Sequence, residues 1–282
     1  MRFKTQVFLG AFGIIICTIF LVFTFVLTKF NLFDIKAGTG DGSIQAYYIS
    51  LEKAEDRRKR LLPLLEKLRI PFEWIVAVYG KELPRPEKDK VTDKEIFRAL
   101  MGKNIVDGEI GCYLSHLKAW KTFLQSKHSY ALIIEDDASF NPVELNKVVN
   151  ELIANNDKWD YVNLDPWRTT NARAIKNISD KFCLMVPKQR VWLTTCQLIN
   201  RKAAASLIQR ALPIKMPVDH FVYRSWELGY KFRTVEPKIV RQIGNDTYIQ
   251  QNRNREIWYL YIPSHIFRIT GQIMTIIMGY VK

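Results

Sequence analysis

The chain has 282 residues, 48% of them apolar and 25% charged, which is enough material for a sizeable core and excludes an intrinsically disordered chain. Its formal net charge of +14 persists outside the N-terminus, because only four of the 42 Lys and Arg and one of the 28 Asp and Glu precede Gly40. A basic body calls for anionic partners, but no zinc-finger spacing and no aromatic RNA-binding signature is present, so nucleic acid is excluded. The four cysteines, Cys17, Cys112, Cys183 and Cys196, form no C-x-x-C pair, which argues against a zinc finger or a disulfide scaffold.

Val7–Leu27 carries no charge and is long enough to cross a hydrocarbon core. It is longer than the apolar part of a cleaved signal peptide, so an uncleaved single-pass anchor is expected over about 7–28. Arg2 and Lys4 before it nearly balance Lys29 and Lys36 after it, which leaves its orientation open. Residues 1–36 are thus the anchor and its flank, and 37–43 (AGTGDGS) is a glycine-rich linker.

Ile44–Leu51 reads as the first strand, Glu52–Arg69 as a helix on Leu61, Leu64, Leu65 and Leu68, and Phe72–Val78 as a second strand. Arg57 to Arg60 are either solvated surface charge or a basic helix start that could dock a nucleotide. Tyr79–Lys90 is expected to be a loop, followed by a short helix over Thr92–Met101. Gly108–Gln125 is a helix whose stripe is Ile110, Leu114, Leu117, Trp120 and Leu124. Glu109 and His116, seven apart, share a face of it, with Ser115 and two glycines alongside, either as structural residues or as a ligand-facing edge.

The most informative stretch is Tyr130–Asp137, YALIIEDD. An unbroken apolar run ending in Glu135, Asp136 and Asp137 reads as a strand buried on both faces, and its C-terminal end is where open α/β sheets keep ligands. Crowded carboxylates repel unless a cation sits among them, and hard oxygen donors suit Mg²⁺ or Mn²⁺. The alternative is a solvated strand end or a helix cap, a role that Asn141 already fills for the helix at Pro142–Asn155. A strand over Trp159–Asp165, an irregular polar stretch over 168–188, a strand over Val191–Asn200 and a helix over Arg201–Ala211 continue an α/β alternation with a mostly parallel central sheet. Pro213 and Pro217 turn the chain ahead of Asp219 and His220, where Asp219 could simply cap a helix over Phe221–Leu228. The tail, 251–282, is basic and apolar. Pro263 and Gly271 make it a poor second span, and it reads as an interfacial membrane helix with Arg253, Arg255 and Arg268 toward lipid phosphates, or as a docking helix for the core.

Five stretches occur in an order that resembles glycosyltransferase family 25, the lipopolysaccharide and lipooligosaccharide galactosyltransferases and the procollagen galactosyltransferases. They are Ile49–Arg57, Gly108–His116 (GEIGCYLSH), Leu132–Asp137 (LIIEDD), Leu193–Ala204 and Pro217–Val222 (PVDHFV). The chain departs from the family pattern at Ser50, where Asn is usual, and at Thr195-Cys196-Gln197, where a Gly-Tyr-rich strand is usual. The resemblance implies a GT-A-like, Rossmann-type catalytic domain over 44–250. It implies an inverting transfer of a hexose, galactose or glucose, from a UDP-sugar to a saccharide acceptor in lipopolysaccharide, lipooligosaccharide or another surface glycan. On it, Asp137 would bind Mn²⁺ or Mg²⁺, Glu135 or Asp136 the metal or the ribose, and Asp219 would be the base, with Asp219 or His220 as an alternative further metal ligand. Ser50, Arg57, Glu109, Ser115, His116 and Thr195 would hold the nucleotide donor. A bacterial enzyme of this kind would sit on the inner membrane with its catalytic domain in the cytoplasm, and a eukaryotic one in the secretory lumen. The competing reading is a catalytically silent, membrane-anchored binding module on the same scaffold.

Overall fold

The computed structural model describes residues 40–167, 172–243 and 261–281, which all fall within one unit spanning 36–282. The apolar run over 7–28, most of the linker, Arg253 and Arg255 lie outside the described residues. Among the described residues no helix is long and apolar enough to cross a membrane.

In chain order the elements are β1 (Ile44–Ser50), α1 (Glu55–Glu66), β2 (Phe72–Val76), α2 (Arg85–Val91), α3 (Lys94–Met101), α4 (Asp107–Gln125), β3 (Tyr130–Glu135), β4 (Ala138–Phe140) and α5 (Pro142–Ala154). Then come β5 (Tyr161–Asn163), β6 (Ala172–Asn177), β7 (Cys183–Pro187), β8 (Cys196–Asn200), α6 (Arg201–Arg210), α7 (Val218–Val222), α8 (Ser225–Leu228), β9 (Phe232–Glu236), β10 (Val240–Gln242) and α9 (Tyr261–Val281). Eight strands form one sheet in the order β2-β1-β3-β8-β5-β9-β7-β6, and β10 pairs with β4 in a separate ribbon.

The sheet is mixed, which corrects the expectation of a mostly parallel one. β1 runs parallel to both β2 and β3, and β5 parallel to β9, whereas β8 is antiparallel to both β3 and β5 and β7 antiparallel to β6 and β9. The physical reason is that an unbroken apolar run reports burial on two faces and carries no information about direction. β8 is as buried as β3 although it runs the other way. Alternate residues of the central strands feed two cores. Tyr47, Ile49, Ala131, Ile133 and Ile199 pack on the side of α4 and α6, and Ala46, Tyr48, Leu132, Ile134 and Leu198 on the side of α1 and α5.

Several local expectations also change. The stretch read as a loop over Tyr79–Lys90 contains most of α2, whose N-terminal turn includes Pro86, a residue with φ pre-set for a first helical turn. The stretch read as irregular over 168–188 contains the antiparallel pair β6–β7. Val191–Thr195 is not strand, because Leu193 takes the left-handed region at φ 73°. Asp219 is not a cap: Pro217 holds that position, and the expected helix over Phe221–Leu228 is split into α7 and α8. Asn141 does cap α5, its Oδ1 accepting from Val143 N at 3.0 Å and Glu144 N at 3.2 Å, so the neighbouring acids are not needed there.

Candidate active site

β1 and β3 run side by side and end together, with Ile49 opposite Glu135 in register. That alignment sets Ser50 beside Asp136, and the Ser50 hydroxyl donates to Asp136 Oδ2 at 2.7 Å. Arg57, on the first turn of α1, brings its guanidinium to 3.1 Å from Asp136 Oδ1 and 3.8 Å from Asp137 Oδ2. Asp136 is therefore satisfied on both oxygens.

Asp137 is not. Gln242 Nε2, from β10, donates to its Oδ2 at 2.8 Å, while Oδ1 is buried with no hydrogen-bond partner among the described residues. Burial, then the charges of Glu135 and Asp136, outweigh Gln242 and Arg57 and push the Asp137 carboxyl up to about 7. A carboxylate in that condition at neutral pH binds either a proton or a cation.

Glu135 is treated in the opposite way. Burial would raise it, but hydrogen bonds from His116 and Thr194, with the charge of Arg57, hold its carboxyl below the ordinary value. Thr194 Oγ1 donates to Glu135 Oε1 at 2.7 Å, and His116 Nε2 lies 3.0 Å from the same oxygen. On the far side of the ring, Gln197 Nε2 lies 3.1 Å from His116 Nδ1 and also donates to the Thr194 carbonyl at 3.0 Å. The reverse orientation of the Gln197 amide would set two oxygens against each other. The amide therefore donates to Nδ1, and the proton stays on Nε2, directed at Glu135. The left-handed turn at Leu193, whose carbonyl accepts from Asn163 Nδ2 at 2.7 Å, is what turns the chain just ahead of Thr194.

The roof is made by the chain leaving β2. Gly80 and Gly111 meet so closely that a Cβ on Gly80 would lie 1.8 Å from the Asp107 carbonyl oxygen, and one on Gly111 2.5 Å from that of Val78. Ser115 fastens this contact, accepting from Val78 N at 2.8 Å and donating to the Gly111 carbonyl at 2.7 Å. Tyr79, Gly80 and Lys81 thus border an open cleft whose other side presents Ser50, Arg57, His116 and the three acids. Cys112 also lines it; burial and then Glu135, Asp219 and Asp137 push its thiol well up, so it is neutral. The ligand atoms of Cys112, His116 and Glu135 lie within 4.8 Å of one another.

The structure thus brings Ser50, Arg57, Ser115, His116, Glu135, Asp136 and Asp137 to one cleft. Glu109 does something else: its carboxylate accepts from Val106 N at 3.1 Å and pairs with Lys103, capping α4. Thr195 lies behind the cleft. Its carbonyl accepts from Glu135 N at 2.8 Å and its side chain bonds Asp165, which in turn accepts from Gln242 N at 3.1 Å. Asp219 and His220 sit on α7 and do not line the cleft, although the Asp219 charge is felt at both Cys112 and Tyr161. His220 is stacked against Trp192 at 6.4 Å, and burial, with Arg190, Arg268 and Arg224, lowers its pKa. Thr194, Gln197 and Gln242 are the site residues the sequence reading missed. Thr194 adjoins a residue it singled out, whereas nothing local marks Gln197 or Gln242.

Comparison with known proteins gives a consistent family. The profile described as "Glycosyltransferase family 25 (LPS biosynthesis protein)" matches residues 43–222. Procollagen galactosyltransferase 1-A of Xenopus laevis is 27% identical over 185 residues, 63% of this chain and 30% of the relative. A glycosyltransferase 25 family member of Aedes aegypti is 25% identical over 240 residues, 79% of this chain and 36% of the relative. The chain therefore spans about a third of the length of these relatives. A glycosyltransferase involved in glycosylation of the major capsid of PBCV-1 aligns over 60% of this chain and 68% of its own, with a TM-score of 0.31 and 14% identity, a likeness too loose to build on.

Proposed function

The chain belongs to glycosyltransferase family 25, and from that premise we propose that it transfers a hexose, galactose or glucose, from a UDP-sugar to a saccharide acceptor with inversion, on a GT-A-like domain. The observation that carries the reading is the strand end itself: three adjacent acids, of which Asp136 is fully paired and Asp137 keeps one buried oxygen without a partner among the described residues. That orphan oxygen and its neighbour Glu135 are hard donors that fit Mn²⁺ or Mg²⁺. A divalent cation held there supplies positive charge to the departing diphosphate.

The chain's own residues divide the remaining work. Arg57 holds Asp136 and Asp137 in place and adds a second positive charge beside the diphosphate position. Gln242 fixes Asp137, and Ser50 fixes Asp136. Gln197, His116 and Thr194 keep Glu135 ionised and immobile. Tyr79–Lys81, secured by Ser115, cover the donor. Asp219 on α7, which does not line the cleft, is proposed as the base for the acceptor hydroxyl on the family resemblance alone. We also propose that residues 7–28 anchor the enzyme and that its product is a surface glycan of the lipopolysaccharide or lipooligosaccharide class. The cytoplasmic side of a bacterial inner membrane is the proposed location.

The test is binding and turnover by the full chain in detergent. A panel of UDP-sugars is titrated by calorimetry with and without Mn²⁺, and UDP release is followed with Asp137→Ala as control. One UDP-hexose should bind in the presence of the cation and release UDP, and the variant should lose both. If no UDP-sugar binds and Asp137→Ala changes nothing, the chain is a silent binding module instead.

A further inference from the structure

The proposed reaction makes no use of α9, a helix with two apolar faces. One face is docked. Phe267 and Met274 pack on the core, and the Arg224 guanidinium lies 4.5 Å from the centre of the Phe267 ring. Gly271 sits so close to Tyr223 that a Cβ would be 2.8 Å from its hydroxyl oxygen. Gln272 accepts from Arg190 N at 3.3 Å and donates to the Lys188 carbonyl at 2.8 Å. Arg268, expected from sequence to face lipid, instead reaches the Met101 carbonyl at the end of α3.

The other face is a single line of isoleucines. Ile262, Ile266, Ile269, Ile273 and Ile276 are 68%, 59%, 57%, 50% and 38% exposed, and their 4-3-4-3 spacing sets them along one stripe about 20 Å long at 1.5 Å per residue. A solvated helix puts charged and polar residues on its outer face. Here the outer face carries none of the charges of the helix, since Arg268 is turned inward.

We propose that this isoleucine face lies in the surface layer of an anionic lipid bilayer. The sequence on either side of the helix is basic in composition, with Arg253, Arg255 and Lys282 against a single acid, Glu256, which suits an anionic surface. Trp258, Tyr259 and Tyr261 precede the stripe in sequence, and such aromatic residues favour the headgroup level. Because the opposite face is fastened to the body, the helix lies along the membrane and does not cross it. A second copy of the chain is a poorer occupant. The stripe offers a few hundred Å², short of the roughly 800 Å² per partner of a stable protein interface. Its flanking positions Pro263 and Thr270 are uncharged and do not supply the opposite charges that set register between helices. This inference does not depend on the transferase reading.

The experiment reconstitutes the full chain into vesicles carrying a photoactivatable lipid, with and without phosphatidylglycerol, and maps the labelled residues by mass spectrometry. Any label on residues 7–28 is recorded separately from label on α9. The isoleucine stripe should be labelled in the anionic vesicles, several-fold less in pure phosphatidylcholine, and at least fivefold less in an Ile269→Asn, Ile273→Asn variant, with label on 7–28 unchanged. Both positions are half exposed, so the variant should fold, as circular dichroism would verify. Absence of label on α9, or label indifferent to the substitutions or to the anionic lipid, would overturn the proposal.

Discussion

The two halves of the large sheet do different work. In the parallel half, β2, β1 and β3 with α1 and α4, nearly every residue of the cleft is supplied directly by a strand end or the helix beside it. The other half, from β8 to β6, contributes from behind: Thr194 and Gln197 steady Glu135 and His116, and Asp165 steadies Gln242. The contrast teaches that contact with a ligand and control of the contacting groups are separable in this fold. Parallel strands end together and leave a common edge with unfilled space above it. Antiparallel strands return the chain past that edge and can brace it.

The largest effects are expected from removing one carboxylate at the strand end and one on α7. Asp137→Ala should lower UDP release by about 10²–10³-fold, the scale of losing one oriented electrostatic group. Asp219→Asn should cost about 10²–10⁴-fold in kcat while leaving donor KM nearly unchanged, as expected for a lost general base. If Asp219→Asn is silent, the base is not Asp219.

A smaller effect sharpens the bracing role. Gln197→Leu keeps the volume but removes the donor to His116 Nδ1, so either ring nitrogen can carry the proton. We expect roughly a tenfold loss in kcat, about 1.4 kcal/mol, with donor KM little changed. A displaced pH profile would separate this from simple loss of stability.

Stability against pH probes the parallel half alone. The folded Asp137 carboxyl, at about 7, is above its ordinary value of 3.8. Its contribution to stability is therefore full below about pH 4 and is lost as pH rises toward 7. Asp137→Asn escapes that loss. In chelator, the variant should gain a few kcal/mol over the parent at pH 8 and little at pH 4, read from urea midpoints.

The smallest expected effect concerns Glu109. Glu109→Gln should cost about 1 kcal/mol through a weakened cap and ion pair and leave donor binding unchanged, because its carboxylate serves Val106 N and Lys103.

Much of the site was legible before the fold was known. The apolar run ending in Glu135, Asp136 and Asp137 marks a strand end with its chemistry in consecutive residues, and Ser115, His116 and Arg57 lie on helices with clear periods. Glu109 looked equivalent to His116 because residues seven apart share a helical face. It is not, because the first turn of a helix has unsatisfied N–H groups that draw an acid back onto itself. Gln197 and Gln242 were invisible, since an amide side chain acquires a role only from whichever distant group it meets.

By itself the sequence determined where apolar runs alternate, that a basic α/β body follows an apolar N-terminus, and that three acids close one buried strand. These are properties of neighbours in the chain, fixed by periods of 2 and 3.6 residues. Only the tertiary structure decided that β8 runs against β3, that Asp137 keeps an unpartnered oxygen while Asp136 does not, and that α9 turns five isoleucines to the solvent. Strand direction and hydrogen-bond partnership are set by contacts between residues up to about a hundred positions apart, as between Asp137 and Gln242, and local patterning carries no record of them.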